Sequence, residues 1–526
     1  MDHPMLKGKK INLHRKKDGT TYVYEVLERR WVPELRSSRT KQVCIGKLDK
    51  KTGAFIPSKR LIEQGADAAL DDTLTARSIV TGTRLLLEKV GQDIGLAATL
   101  KKTAPSCWKE ILSLAWYLLS THGALSNAEL WLGNHEVPTD KRLSSQRISE
   151  LLQSMNEDMR QSFFKAWRKA FPSREHLCYD ITSISSYATH NEYVRYGYNR
   201  DGERLPQINL AVVYGQTSML PMIYRELPGS IADVSTLKNS LDQFDKLDYG
   251  TLHLVMDRGL YSKKNIEALC EARQHFTIGV PSHLRLVRDL IDKHRDDIDG
   301  FKGYRVFEGE AVYSQSFLQS WGEQRRRCYL HIYFNGQQQQ EDRLRFDQYI
   351  TDLYLELTEG PIVEEHAEAY ERFFIVKDTP KRGRKVLLNE EALTNARSKY
   401  VGFSALLSTK FKDSLDALAV YREKDIVEKC FDDLKNELDM RRLRIHGSKS
   451  MKSRLFIQFI AMILLAAIRK RMRETELTTK YSVTQLLWEL ESLTTIQYSG
   501  RYKNKLSEVT KAQREIFEAF QVDIPS

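Results

Sequence analysis

Cysteine is scarce, with six in 526 residues, at positions 44, 107, 178, 270, 328 and 430. No two fall at metal-ligand spacing, which excludes a zinc finger or ribbon. Their scatter also argues against a disulfide scaffold and for a reduced, cytoplasmic protein. Long apolar runs are missing too. Met1 to Lys10 holds no apolar segment of the kind a signal peptide needs. The longest run, Leu455 to Ile468, is broken only by Gln458 and falls short of the about 20 residues of a spanning helix. It reads as a buried helix whose basic flanks, Arg454, Arg469, Lys470 and Arg471, reach the surface, and no membrane partner is expected. Acidic residues are absent from Met440 to Arg473.

What is present is core and localised charge. Hydrophobic residues make up 41% and aromatics 10%, enough to exclude a wholly disordered chain. The length suggests three or four structural units. The net charge of +11 is uneven. Residues 1–60 carry 16 Lys+Arg against 6 Asp+Glu, and Met440–Arg473 carries ten basic residues, so each segment is +10 and the remainder is 11 − 20 = −9. Two basic segments on an otherwise acidic chain suit a polyanionic partner.

Periodicity divides the chain. Thr21–Leu27 and Lys41–Gly46 alternate as strands, with a turn at Lys51-Thr-Gly, giving a small basic β unit over 1–65. Helical periods fill 66–172, as in Arg84–Val90, Ile111–Leu119 and Ile148–Met155. Ser144-Ser-Gln-Arg caps the last of these, and an ordinary bundle helix is the plainer reading beside a DNA-reading one. Strands and helices then alternate over 173–280 as an α/β layer. Residues 281–398, with Gln337–Gln340 in a row and strand-like pieces at Tyr329–Phe334 and Phe373–Val376, read as a β-rich insertion. Residues 399–475 return to the core, and 476–526 form a C-terminal helical segment.

Two strands end in aspartate. Asp180 follows Leu-Cys-Tyr and Asp257 follows Leu-Val-Met, at the sheet edge where ligands of α/β folds bind. A turn-capping role is the plainer reading of either alone. Paired carboxylates suit Mg²⁺, and two ions about 4 Å apart can drive phosphodiester chemistry. A third acid is wanted. The helix read from Tyr421 offers Glu428, with Tyr421, Lys424 and Lys435 within about 40° of it and Arg422 facing away. Helix arithmetic alone favours a solvated face with Lys424–Glu428 pairing.

The ordered set is more specific. Tyr421-x2-Lys424-x3-Glu428-x6-Lys435 resembles the Tyr-x2-Arg-x3-Glu-x6-Lys signature of DDE transposases of bacterial insertion sequences. Tyr179-Asp-Ile-Thr and Asp257-Arg-Gly-Leu-Tyr resemble that family's first- and second-aspartate motifs. Gly197-Tyr-Asn-Arg-Asp-Gly, Gln207 and Pro228-Gly-Ser-Ile-Ala-Asp resemble its connecting pattern. The resemblance implies an α/β fold with an RNase H-like core and a β-rich insertion, preceded by the basic β unit and the helical domain. It implies that Asp180, Asp257 and Glu428 bind two Mg²⁺ ions, for which Mn²⁺ substitutes. It implies that Tyr421, Lys424 and Lys435 contact DNA phosphates. Arg258, and the basic stretch with Arg441, Arg442 and Arg444, are further DNA contacts. The signature arginine is Lys424 here, which keeps the charge but loses the bidentate fork.

The expected activity is transposition: binding of inverted-repeat ends, metal-dependent cleavage, and strand transfer into target DNA by a nucleoid-associated homodimer on double-stranded DNA. The basic N-terminus and the helices of 66–172 are the expected end readers. The alternatives are an RNase H-like nuclease without strand joining and a non-catalytic DNA-binding descendant. His190, His253 and His446 are read as structural or phosphate-contacting, because the two-metal route needs no side-chain base.

Overall fold

The structure, a computed structural model, describes residues 6, 9–32, 37–50, 52–58, 76–172, 175–188, 190–231, 233–321, 325–379, 383–396, 400–438, 442–443, 445, 447–498 and 504–524. The chain divides into two compact units, 1–81 with 493–509 and 525–526, and 82–492 with 510–524.

The smaller unit is all β. Strands β1 (Ile11–Arg15), β2 (Thr21–Val32), β3 (Ser37–Leu48) and β4 (Phe55–Pro57) form an antiparallel sheet in that order. Leu6, Val23, Ile45 and Phe55 make its core. Strand β5 (Ala76–Val80) lies in a second sheet with two C-terminal strands described below. The helical reading of 66–172 is therefore corrected to a strand at 76–80.

The larger unit opens with helices α1 (Gly82–Asp93), α2 (Leu96–Thr103), α3 (Trp108–Thr121), α4 (Ala128–Asn134), α5 (Ser145–Ser154) and α6 (Glu157–Trp167). Ser144 caps α5 by accepting a bond from the Arg147 amide. Next come β6 (His176–Ser186), β7 (Gln207–Gly215), β8 (Pro221–Pro228), α7 (Asp233–Lys246), β9 (His253–Met256), α8 (Lys263–Glu271) and β10 (His275–Val280). These follow the strand and helix periods of the sequence closely.

The segment expected to be a β-rich insertion is mixed. Helix α9 (Arg285–Ile298) precedes β11 (Tyr304–Phe307), β12 (Glu310–Trp321) and β13 (Arg326–Phe334). A 23-residue helix follows, α10 (Gly336–Thr358), then α11 (Ala367–Phe373), a hairpin of β14 (Phe374–Thr379) and β15 (Gly383–Leu388), and α12 (Glu390–Ala396). The glutamine row is the first turn of α10. Asn335 caps it, and Gln337–Glu341 and Gln338–Asp342 bonds tie successive turns. Ile350, Leu353, Leu357, Tyr370, Phe373, Phe374 and Val386 give this segment its own core.

The chain then adds β16 (Phe403–Ser408), α13 (Ser414–Arg422), α14 (Asp425–Asp432), the two-residue β17 (Arg442–Leu443), α15 (Ser448–Glu474) and α16 (Val483–Glu491). Strands β18 (Thr494–Tyr498) and β19 (Lys505–Leu506) return to the smaller unit, where β18 pairs β5, and α17 (Lys511–Phe520) closes the larger one. The C-terminal segment is therefore not wholly helical.

One mixed sheet organises the larger unit, in the order β11-β12-β13-β16-β10-β9-β6-β7-β8, with β17 beside β6. β9 runs parallel to both β6 and β10, and β6, β7 and β8 are antiparallel. Helix α15 is long and apolar enough to cross a membrane, but 94% of its most apolar window is buried inside the protein. Every residue from Leu455 to Ile468 is buried, and Gln458 satisfies its donor on the Leu438 carbonyl, 3.1 Å away. Each large apolar side chain buried there contributes roughly 2 kcal/mol. Its N-terminal flank differs from expectation, since Arg454 is buried as well.

Candidate active site

Asp257 follows the last residue of β9, but Asp180 lies inside β6, which stays paired with β7 through Ser185. The strand end expected at Asp180 is therefore corrected, and sheet register sets both aspartates. β6 and β9 run parallel with Tyr179 beside Met256. The next residue of each chain is an aspartate, so Asp180 and Asp257 occupy equivalent positions on strands about 4.8 Å apart. Side chains alternate across a strand. Tyr179 therefore turns to the opposite face, where its hydroxyl meets Ser240 of α7 at 2.9 Å, and Asp180 turns to the face that α14 covers.

The two acids have different surroundings. Asp180 is mostly buried, and burial pushes its carboxyl above the ordinary value, with the Asp257 charge adding to the rise. Arg200 (3.4 Å) and the Ile181 amide (2.8 Å) oppose that shift. Asp257 is half exposed. Burial works against its charge, but the Arg258 amide, the Lys424 ammonium and the Tyr421 hydroxyl outweigh it and hold its carboxyl below the usual range. The Tyr421 hydroxyl donates to Asp257 Oδ1 at 2.9 Å. Burial and that carboxylate raise the phenol in turn.

The helix expected from Tyr421 to Lys435 is broken. Tyr421 ends α13. Tight bonds from Lys424 N to Tyr421 O and from Val427 N to Lys424 O turn the chain before α14 is established, and a π turn spans Asp433–Glu437. The uniform 100° step therefore fails on both sides of Glu428. Of the apolar side expected to pack on the sheet, Ile426, Val427, Cys430, Phe431, Leu434 and Leu438, all but the half-buried Ile426 are buried, and α14 packs on β6 and β7.

The break puts Lys424 between acids. Its Nζ lies 2.9 Å from Glu428 Oε1 and 3.8 Å from Asp257 Oδ1 and from Asp425 Oδ1. Burial lowers the ammonium's pKa, but Glu428 and the two aspartates more than restore it. Lys435 is nearly buried and meets both Asp201 oxygens at 2.7 and 2.8 Å. Arg442 bonds to Glu203 at 2.7 Å and to the Tyr187 hydroxyl at 2.9 Å. Arg422 points away, over the Phe307 ring. Arg441, Arg444 and His446 lie outside the described residues.

Several contributors were not singled out from sequence. Arg200 reaches Asp180, and Asp201 reaches Lys435, from one loop. Gly197 and Gly229 let that loop and the end of β8 meet backbone to backbone, since a Cβ on Gly197 would sit 1.9 Å from the Gly229 oxygen. Tyr196 and Tyr198 flank Gly197 and are 74% and 83% exposed. Gly279 in β10 is needed for close approach, because a Cβ there would stand 2.7 Å from the Tyr421 hydroxyl. The connecting motif held Gly197, Arg200 and Asp201, but only the fold reveals their partners. His253 is buried against His176 and Phe411, with its Nε2 3.1 Å from Thr277 Oγ1, a packing role.

The donor chemistry suits a hard divalent cation only in part. Asp180 and Asp257 are two oxygen donors side by side, as Mg²⁺ or Mn²⁺ favours. Among the described residues, no three His, Cys, Asp or Glu side chains gather into one metal-sized group. Lys424 stands between Glu428 and Asp257, at 2.9 and 3.8 Å.

The model of the transposase DDE domain matches residues 171–464. The chain belongs to this DDE transposase family. The match spans Asp180, Asp257, the mixed segment and the Glu428 helix. No curated protein matches the chain. Among solved structures, a cryo-EM piggyBac transposase synaptic complex with hairpin DNA aligns over 77% of this chain and 70% of that one, with a TM-score of 0.35 and 9% identity.

Proposed function

We propose that the chain is an active transposase, which binds the ends of its own element, cleaves the DNA with Mg²⁺, and joins the freed 3′-hydroxyls to target DNA. The observation that carries this is the registered pair Asp180–Asp257 on parallel strands, with Lys424 beside Asp257. The strand order β8-β7-β6-β9-β10, three antiparallel then two parallel, supports reading this part as an RNase H-like core.

Asp180 and Asp257 would hold the metal, and Glu428 would complete the second of two sites. Mg²⁺ bound there supplies Lewis-acid stabilisation of phosphoryl transfer and lowers the pKa of an attacking water or hydroxyl. The chain's own residues do the rest. Tyr421 fixes the Asp257 carboxylate through its hydroxyl. Lys424 leaves Glu428 for a phosphate, and Lys435 and Arg442 exchange Asp201 and Glu203 for phosphates along one track. Arg258, next to Asp257, is a further DNA contact. Positioning and charge stabilisation are what this chemistry asks of a protein. Two ends must be held together, so a homodimer on DNA is proposed.

The test is strand transfer. A pre-cleaved element end with a free 3′-hydroxyl is incubated with supercoiled plasmid, Mg²⁺ and the purified chain. Joined product is expected from the parent and not from Asp257→Ala or Glu428→Ala. Cleavage of intact ends without joining would instead establish a nuclease.

A further inference from the structure

The smaller unit contains an element that the active site does not use. β1 pairs with β2 only up to Glu25, and β4 pairs with β3 only from Gly46 to Leu48. Beyond those limits β2 and β3 continue as a two-stranded ribbon, with Glu28–Val32 set against Ser37–Lys41. At about 3.4 Å per residue it extends for nearly 20 Å. Register shifts at Val23/Tyr24 and Val26/Glu28 mark bulges at its base, and bulges increase local twist.

The side chains on the ribbon do not serve its own stability. Arg30 lies directly opposite Arg39, and like charges in that position repel. Neither has an acidic partner among the described residues. Glu28 faces Lys41 next to them on the same face, and the other face carries Arg29 and Trp31 opposite Thr40 and Ser38. Trp31 is 60% exposed and Leu27 55%. Four cations against one carboxylate, with an exposed indole among them, complement a polyanion that also has apolar surface. The major groove of B-form DNA, about 12 Å wide, admits a two-stranded ribbon, and arginine forks match the O6/N7 edge of guanine.

We propose that the β2–β3 ribbon enters the major groove of duplex DNA, where Arg30 and Arg39 read base edges and Arg29 and Lys41 grip the adjoining phosphates. This rests on the transposase reading and deepens it, narrowing sequence recognition from the basic N-terminus and the helices of 66–172 to the ribbon.

The test uses the full chain carrying Asp257→Asn, without divalent metal, in a selection from random-sequence duplexes followed by dimethyl sulfate protection of guanine N7. The parent is expected to select a motif whose guanines are protected. Arg30→Lys/Arg39→Lys keeps the charge, and so keeps non-specific affinity while losing the motif and roughly tenfold or more of its preference. Arg30→Ala/Arg39→Ala loses both. The proposal is overturned if both variants select the parent motif with the same protection, if the motif guanines react freely in the parent complex, or if the parent selects no motif. Mg²⁺-dependent cleavage is scored separately with the unmodified chain, so failure of the ribbon and failure of the transposase reading are distinguishable.

Discussion

Asp201→Asn should tighten DNA binding although it removes an ion pair. Lys435 is 11% exposed and Asp201 32%, with both carboxylate oxygens within 2.8 Å of the ammonium. Such a pair falls between an exposed one, worth up to about 1 kcal/mol, and a buried one, whose breakage costs about 3–5 kcal/mol. An estimate of about 1–2 kcal/mol is reasonable. Lys435 cannot hold Asp201 and a DNA phosphate with the same geometry, so binding bears that cost. Asparagine keeps the shape and removes the charge. The expected gain is roughly fivefold to thirtyfold in affinity, with a loss of about 1–2 kcal/mol in the stability of the free protein. Fluorescence anisotropy over a salt series separates the effects. Asp201→Asn leaves the salt slope unchanged, because the same phosphates are engaged. Lys435→Ala weakens binding and reduces the slope by about 0.9. If Asp201→Asn binds no tighter, and Lys435→Ala leaves the slope unchanged, the exchange of Asp201 for phosphate is wrong.

Three further outcomes are expected. Lys424→Met removes a cation from between Asp257 and Glu428 and should tighten Mn²⁺ binding several-fold by electron paramagnetic resonance titration, since a unit charge at about 4 Å is worth about 1–4 kcal/mol near a surface; unchanged or weaker binding counts against the arrangement. Gly279→Ala should push the Tyr421 hydroxyl off Asp257, so Gly279→Ala and Tyr421→Phe should reduce cleavage by similar factors and be non-additive in a double-mutant cycle; additive effects would separate them. His253 is buried with its pKa lowered to about 3 by burial and by the neighbouring His176, Lys410 and His275. A folded value below the unfolded one means that its contribution to stability is intact above about pH 6.5 and is lost as pH falls toward 3, about 3 kcal/mol of it by pH 4. His253→Gln should therefore flatten urea-unfolding stability between pH 6.5 and 4, and an unchanged acid limb would refute this.

The parts legible in sequence were those fixed by local pattern. Apolar runs before Asp180 and Asp257 located β6 and β9, although β6 continues past Asp180 to Ser186, and most of the buried side of α14 followed from a period near 3.6. Less legible were features decided by tertiary bonds. The break at Glu423–Lys424 carries no proline or glycine, and the π turn after Asp432 has no sequence mark. The first turns of α10 are held by glutamine–acid pairs four residues apart rather than by an apolar stripe, so they are absorbed into the expected β-rich insertion. β18 returns to β5 from more than 400 residues away, a pairing that no local signal encodes. Arg200 and Asp201 lay inside a recognised motif, but their partners Asp180 and Lys435 depend on the loop path that Gly197 and Gly229 permit.

The most direct measurement is single-turnover cleavage of a labelled element end in Mg²⁺ by the parent and by Asp180→Asn, Asp257→Asn and Glu428→Gln, each checked for retained end binding. The predicted result is intact binding with cleavage at background for all three. Parent-like cleavage by any of them would contradict the shared site, and from Glu428→Gln it would mean that the Lys424–Glu428 pair is only a surface ion pair.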